Sequence, residues 1–173
     1  MIDYRHFWVM SHKDFDAGME HEGWNDANVP ADHAFISICC SLAFREKYFK
    51  RHNTVDEHWF KGEHDNVLNL DFDDITEPTK DTEYGTAYGI TDEQAKQILE
   101  FFEKNQDKHH WFIHCHAGKS RSLAVGNYLT DKWNKQHGGP GTWGRLHRLE
   151  PVSILGQNMF VYNKLKENDK NFS

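Results

Sequence analysis

The sequence predicts an α/β fold in which a central, mostly parallel sheet of four to five strands is flanked by helices. Short apolar runs alternate with helical segments along the 173 residues, and this alternation is typical of layered α/β domains. The run at 34–40 is almost uninterrupted in its apolar character, as expected of a central strand buried on both faces. The six Trp, six Tyr and twelve Phe supply large apolar surfaces. We therefore expect residues 1–173 to form one domain with a single core.

The first half of the chain contains three predicted strands, at 4–10, 34–40 and 66–70. Ser11 is a suitable N-cap for a short helix that continues to about Met19. Residues 46–60 are polar and irregular, which predicts at most partial helix. The third strand runs directly into an acidic cluster at 71–74.

The second half begins with a predicted loop at 76–90, which holds a proline, two glycines and several charges. Thr91 and Gln94 have the spacing of a capping box, and the apolar residues that follow share one helical face. Further on, a strand is predicted at 110–113, a helix at about 120–135 that ends at 138–141, and a last helix at about 152–166. The segment 138–151 either borders a substrate cleft or is an ordinary surface loop.

The most informative stretch is 114–122, which reads His-Cys-His-Ala-Gly-Lys-Ser-Arg-Ser. It places Cys115 at the end of a predicted strand and Arg121 at the start of a predicted helix. Inward-pointing loop N–H groups and a helix N-terminus would make this loop a phosphate cradle, and the guanidinium would supply a two-pronged donor. The same positive field favours the thiolate of Cys115, which is a nucleophile at neutral pH.

This C-x5-R loop, together with the serine after the arginine, resembles the signature of the cysteine-dependent protein tyrosine phosphatase superfamily. Residues 66–166 are similar to predicted bacterial and phage tyrosine phosphatases in four places: the Phe-Asp-Asp-Ile segment, the helix from Thr91, the cysteine loop and the terminal helix around Asn158. The first 65 residues match only loosely. The short chain, without a recognition loop of the large tyrosine-specific enzymes, looks more like a compact dual-specificity phosphatase.

The resemblance implies a phosphatase-like fold and a phosphomonoester hydrolase that works through a phosphocysteine on Cys115. Arg121 would hold the phosphate, Ser122 would hydrogen-bond the sulfur, and His114 would support the loop. The substrate phosphate would lie against the loop residues, namely His116, Ala117, Gly118, Lys119, Ser120 and Arg121. The substrate would be a phosphorylated protein or another phosphomonoester.

A carboxylic acid is expected to protonate the leaving oxygen, and in the resembled family it lies on a movable loop upstream of the cysteine. Asp74 is the first choice because it sits where a strand ends and a loop begins, 115 − 74 = 41 residues before the cysteine. Asp73 is the second choice. A solvated acidic turn without a catalytic role is the alternative.

Several other interpretations compete with a protein phosphatase. A nucleotide-binding P-loop would need glycine at position 113, which is Ile. Lys119 is either a solvated loop residue or a second cation of the loop that would suit a phosphoinositide or an RNA 5′ end. The loop would also serve a phosphate-binding module without turnover, or a sulfurtransferase. Finally, Cys115 would be merely a small buried residue if the loop had no function.

Composition excludes some classes of protein. The formal net charge of −7 argues against broad nucleic-acid binding. No apolar run approaches the roughly 20 residues of a membrane span, and the N-terminus lacks a signal-peptide pattern, so a cytoplasmic protein is expected. Despite thirteen histidines there is no HExxH motif or paired CxxC, and we expect neither a metal nor another cofactor.

Three cysteines cannot all pair, which favours a reducing compartment. Under oxidation Cys39 or Cys40 would be a candidate partner for a reversible disulfide with Cys115. Burial of both residues in a strand is the simpler interpretation.

Overall fold

Five parallel strands form the central sheet of the computed structural model, which describes residues 3–138, 142–149 and 156–170. Their order across the sheet is β3-β2-β6-β1-β7, and every neighbouring pair is parallel. The strands are β1 Asp3–Ser11, β2 His33–Cys39, β3 Val67–Asp71, β6 His110–Cys115 and β7 Thr142–Arg148. The α/β fold with a central parallel sheet is therefore confirmed.

Helices cover both faces of the sheet. They are α1 His12–Glu22, α2 Leu42–Phe44, which continues as a π-helical turn Arg45–Phe49, α3 Asp92–Lys104, α4 Arg121–His137 and α5 Met159–Asn168. The two predicted caps are confirmed, because Ser11 accepts from the Asp14 N–H and Thr91 forms a complete capping box with Gln94.

Alternation along the strands produces two apolar clusters, one on each face. Phe7, Val9, Ile36 and Ile38 belong to the larger cluster, together with the buried faces of α3, α4 and α5. The smaller cluster joins Phe35 and Met10 to Phe15 and Met19 of α1, with Phe60 from the irregular segment. The sheet is thus buried on both sides, which explains the nearly continuous apolar run of β2.

The predicted loop at 76–90 is wrong, because this segment forms an antiparallel hairpin of β4 Thr79–Thr82 and β5 Gly85–Tyr88. Gly85 turns the chain at φ +109°, and the Thr82 hydroxyl donates to its carbonyl at 2.7 Å. Strand β4 is mostly exposed and polar, so it lacks the apolar alternation by which a strand is predicted from sequence.

The segment after α4 also differs from prediction. Residues 142–148 form β7, which pairs with β1 at the edge of the sheet and is not an ordinary surface loop. The last helix begins at Met159 and not at about 152, and Asn158 caps it by accepting from the Val161 N–H. Residues 152–155 of the predicted helix lie outside the described residues, while 156–158 precede α5 without being helical.

None of the helices among the described residues has the length and apolar character needed to cross a membrane. All three cysteines are free thiols and are buried.

A row of histidines crosses the α1-side face of the sheet. His33, His110 and His6 are register partners on β2, β6 and β1, and His147 Nε2 lies 2.9 Å from His6 Nδ1. Burial lowers the pKa of His6, His110 and His147 below the ordinary value of 6.5, and neighbouring cationic or imidazole groups lower it further.

Because these imidazoles bind protons less readily in the folded chain than in the unfolded chain, stability is expected to fall as the pH drops through 6.5. Urea unfolding at about pH 7.5 and about pH 5.5 measures this loss. The double variant His6→Gln, His110→Gln should lose less stability over that interval than the native protein. His21→Gln, at a side chain that is 85% exposed, should behave like the native protein. An equal loss in all three proteins would contradict the assignment.

Candidate active site

The carboxyl ends of the parallel strands meet at one edge of the sheet, which is where ligands bind in folds of this class. Cys115 ends β6 beside Ser11 at the end of β1, and Cys39 ends β2 beside Asp71 at the end of β3. The loop of residues 115–121, called here the Cys115 loop, therefore begins at the centre of this edge and leads into α4.

The Cys115 sulfur is held inside the loop. Its side chain is buried, with 1% of the residue surface exposed. The Gly118 N–H donates to Sγ at 3.3 Å, and the Ser122 hydroxyl lies 3.1 Å from the same atom. The sulfur therefore has two polar neighbours, one in the loop and one in the first turn of α4.

The Cys115 loop is packed tightly against the junction of β1 and α1. Gly118 has φ +71°, and a Cβ placed there would lie 2.4 Å from both the Met10 carbonyl carbon and the Ser11 nitrogen. The His12 N–H also donates to the His116 carbonyl at 3.1 Å. Only glycine fits at position 118, because both the backbone conformation and the close approach exclude a side chain.

Arg121 is the buried cation of the site. Its Nη1 donates to the Phe72 carbonyl at 2.7 Å and lies 3.5 Å from Cys40 Sγ. Its Nε is buried and has no hydrogen-bond partner among the described residues. Burial opposes its charge, but attraction to Cys40 and Cys115, which are thiolates at the pH where a guanidinium titrates, and to the carboxylates of Asp74 and Asp56 outweighs this and raises the pKa of Arg121 above its usual value. Arg121 therefore remains a guanidinium, and its buried Nε–H is an available donor.

Asp74 belongs to the same site. Its exposed carboxylate accepts from the Ser120 hydroxyl at 2.7 Å and from Asn158 Nδ2 at 2.8 Å. Asn158 also donates its backbone N–H to the Ser120 carbonyl at 3.2 Å and its Nδ2 to the Ile75 carbonyl at 3.0 Å. One buried asparagine thus joins the acidic segment, the Cys115 loop and the start of α5.

Asp73 lies in a different environment from its neighbour. It is buried, and its carboxylate accepts from the Ser41 N–H at 2.9 Å, the Ser41 hydroxyl at 2.7 Å and the Tyr88 N–H at 2.8 Å. These bonds join the end of β2 to the hairpin and do not reach the Cys115 loop. Both carboxylate oxygens are occupied, so Asp73 has the contacts of a structural residue.

Sequence reasoning missed Asp56, a buried carboxylate behind the loop. Its Oδ2 accepts from the Cys40 N–H at 2.7 Å, and its Oδ1 lies 3.3 Å from His12 Nδ1 and 3.8 Å from His116 Nδ1. Burial by itself raises the pKa of Asp56, but the imidazoles of His116 and His12 outweigh it and hold that pKa well below its usual value. No local pattern marks Asp56, because it lies in the irregular segment far along the chain from its partners.

His12 is the cation that faces Asp56. Burial lowers its pKa, but hydrogen bonds to the Asp16 and Asp56 carboxylates outweigh it and raise the pKa of His12 to about 9. These ion pairs contribute fully to the stability of the folded chain below pH 6.5, and this contribution is lost as the pH rises through about 9.

The remaining predicted residues lie around the loop. His114 is fully buried, packs against Phe15 at 4.3 Å between ring centroids and lies 2.7 Å, Nε2 to Oγ, from Ser37. Burial lowers the pKa of His114 well below 6.5, with a further contribution from His12, so the ring is neutral. His116, Ala117 and Lys119 are exposed.

Two groups of described residues have metal-ligand chemistry: His12 with Cys39 and Asp56, and Cys39 with His58 and Asp71. Both depend on Cys39. Burial raises the pKa of the Cys39 thiol above its usual value. Several donors of these groups also form hydrogen bonds among themselves and with neighbouring residues.

Comparisons with protein-family models, with curated proteins and with solved structures found no match to this chain.

The close approach at Gly118 leads to a stability prediction. Gly118→Ala should lower the free energy of unfolding by several kcal/mol, about 1–3 of them from backbone strain alone. The matched change Gly18→Ala, in α1 with nothing within 4 Å of the added Cβ, should raise it by roughly 0.5–1 kcal/mol. Urea unfolding of both variants measures the difference. Equal stability of Gly118→Ala and the native protein would show that the loop is not seated as described.

Proposed function

We propose that this protein is a cysteine-dependent phosphomonoester hydrolase of the protein tyrosine or dual-specificity phosphatase type, with Cys115 as its nucleophile. The observation that carries the proposal is the convergence of three groups on one loop. The Cys115 sulfur accepts a hydrogen bond from the Gly118 N–H, and the Asp74 carboxylate accepts one from Ser120 of the same loop. Arg121 has a buried Nε–H that finds no partner within the described part of the chain.

In the first step the Cys115 thiolate attacks phosphorus, so that an S–P bond forms and the bond from phosphorus to the leaving oxygen breaks. Arg121 and loop N–H groups hold the three equatorial oxygens, where charge is spread in the transition state. Asp74, in its acid form, gives its proton to the leaving oxygen. The products are an alcohol or phenol and a phosphocysteine.

In the second step water attacks the phosphocysteine, and the Asp74 carboxylate takes a proton from it. The S–P bond breaks and the thiolate leaves. The Ser122 hydroxyl, 3.1 Å from Sγ, supports that leaving group by donating to it. Phosphate departs, and the loop returns to its starting state.

Asp74 suits the acid role better than Asp73 for a physical reason. Three donors already occupy the buried Asp73 carboxylate, and a protonated Asp73 would lose some of them. Asp74 is exposed, so it exchanges protons with water, and Ser120 and Asn158 orient it toward the loop.

Release of phosphate from p-nitrophenyl phosphate tests the proposal. Cys115→Ser should abolish turnover, and Asp74→Asn should lower kcat by about 10²–10⁴-fold. The loss should be larger with phenyl phosphate, whose leaving group is poorer and needs the proton more. Asp73→Asn serves as the matched control, and it should keep the leaving-group dependence of the native protein.

Absence of turnover in the native protein, with retained phosphate binding, would favour a phosphate-binding module. If Asp74→Asn and the native protein showed the same leaving-group dependence, Asp74 would not be the acid.

A second candidate is a phosphatase for polyanionic substrates, such as phosphoinositides or RNA 5′ ends. In the helical residues 45–51 the exposed charged side chains are three cations and one acid, a formal charge of 3 − 1 = +2 in a chain of −7, since Arg45 is paired with Asp71. This helical segment adjoins the site, because the Phe49 ring lies 4.8 Å from the His116 ring. The exposed Lys119 adds a further cation at the loop. A basic surface beside the loop favours substrates with more than one negative group.

A panel of phosphotyrosine peptides, phosphoinositides and 5′-triphosphorylated RNA separates the two candidates. The double variant Lys50→Glu, Arg51→Glu should raise KM for a polyanionic substrate by about tenfold or more at low salt. It should leave p-nitrophenyl phosphate turnover nearly unchanged. Equal KM values in the native and variant proteins for every polyanion would contradict the second candidate.

A further inference from the structure

A line of hydrogen-bonded side chains runs from the residue before the nucleophile to the exposed Asp71 at the end of β3. His114 Nε2 lies 2.7 Å from Ser37 Oγ, and Ser37 Oγ lies 2.6 Å from His58 Nδ1. His58 Nε2 lies 2.8 Å from Asp71 Oδ1. These four residues are called the His114 line. The mechanism proposed above uses none of Ser37, His58 and Asp71.

The sheet brings the line together. Ser37 on β2 is the register partner of His114 on β6, and Cys39 is the register partner of Asp71 on β3. By alternation Ser37 and Asp71 project from the α1-side face, as His114 does. His58 comes from the irregular segment that covers this face, and it lies between the strands' side chains.

The donor and acceptor types determine where the hydrogens lie. The Asp71 carboxylate oxygen is an acceptor, and Arg45 Nη2 donates to it at 2.7 Å, so His58 must donate through Nε2. When His58 is neutral, its Nδ1 can only accept, and the Ser37 hydroxyl must donate to it. Ser37 Oγ then accepts from His114, so the neutral His114 ring carries its hydrogen on Nε2.

Protonation of His58 allows this order to reverse. With hydrogens on both ring nitrogens, His58 donates through Nδ1 to Ser37 Oγ. Ser37 Oγ can accept from two donors, so the outcome depends on where its own hydrogen points. If the Ser37 hydroxyl donates to His114 Nε2, that nitrogen is unprotonated and the single hydrogen of His114 lies on Nδ1, a buried atom with no hydrogen-bond partner among the described residues. The line then gains one proton in total: one proton enters at His114 Nδ1, the Nε2 proton passes to Ser37, and the Ser37 proton passes to His58.

We propose that Ser37, His58 and Asp71 are positioning residues that set the tautomer of His114, and that protonation of His58 switches it from Nε2–H to Nδ1–H. His114 directly precedes Cys115, so the switch acts one residue from the nucleophile. Its importance for catalysis rests on the proposed function, but the tautomer itself does not.

Charged and titratable groups face both ends of the line. His114 is faced by His12 of α1, with ring centroids 5.1 Å apart, and by the Asp56 carboxylate, and both act electrostatically on it. Ser37 and Cys39 face His58 from β2, with Cys39 Sγ 3.5 Å from Nδ1. Asp71 faces it from β3, and Arg45 of the π-helical turn reaches it through Asp71. If these contacts only stabilised the packing of the fold, the His114 tautomer would not have to change when His58 gains a proton.

Histidine ring nitrogen NMR of the full chain tests the proposal, because the nitrogen shifts report which ring atom carries the hydrogen. In the native protein His114 should be Nε2–H at the alkaline end of a titration. As the pH falls, it should become Nδ1–H with the same midpoint as His58 protonation. A His114 tautomer that stays constant while His58 gains its proton would overturn the proposal.

Three variants sharpen the test. His58→Gln can accept from Ser37 and donate to Asp71, so it should lock His114 as Nε2–H throughout the titration. His58→Phe should abolish the coupled transition. His64→Phe removes a histidine–aspartate pair of the same kind outside the line, with Nε2 2.7 Å from Asp26 Oδ1, and it should leave the transition unchanged. A transition that persists in His58→Phe with the native midpoint would contradict the line.

The pH profile of Cys115 alkylation by iodoacetamide measures the effect on the nucleophile. The native profile should show an inflection at the His58 midpoint, and His58→Gln should lose it. An identical profile in both proteins would overturn the coupling to Cys115. Neither measurement needs phosphatase turnover, so an inactive native protein would refute the proposed function while leaving the tautomer result standing.

Discussion

The close contact of Gly118 with the end of β1 is the constraint on which the site depends. It seats the Cys115 loop on the junction where β1 becomes α1, and it does so without a side chain between the two backbones. With the loop in that position, the Gly118 N–H points at the Cys115 sulfur and α4 begins at Arg121. The parallel arrangement of the strands then brings the acidic segment after β3 to the same edge of the sheet.

Asp73 and Asp74 are adjacent carboxylates that the sequence does not distinguish, but they lie in different environments in the structure. Asp73 is enclosed by donors from Ser41 and Tyr88 and holds the hairpin to the end of β2, whereas Asp74 is exposed and bonded to the loop. Charge is balanced in a similar way beneath the loop, where the Asp56 carboxylate lies between the buried imidazole of His12 and the exposed imidazole of His116. Because an unpaired charge is costly to bury, these pairings keep the charged groups close to the thiol in place.

The two faces of the sheet contribute differently to the proposed chemistry. On the α4 side lie the Cys115 side chain, Arg121 and Asp74, to which we assign the proposed hydrolysis of a phosphomonoester. On the α1 side, the His114 line connects the residue before Cys115 to an aspartate at the surface. Alternation along β6 places Cys115 and His114 on opposite faces of the sheet. One of these consecutive residues therefore belongs to the proposed reaction site and the other to the His114 line.

The sequence by itself determined the α/β class, the central strands, the caps at Ser11 and Thr91, and the cysteine loop as the candidate site. These features rest on contiguous residues whose spacing carries the information. Only the tertiary structure decided the hairpin, edge strand β7 and the start of α5, because their residues show too little apolar periodicity to mark them. It also decided the contacts of Asn158 with Asp74 and of Ser37 with His114, which join residues 84 and 77 positions apart. Such pairs form through strand order and packing, which no local pattern of residues encodes.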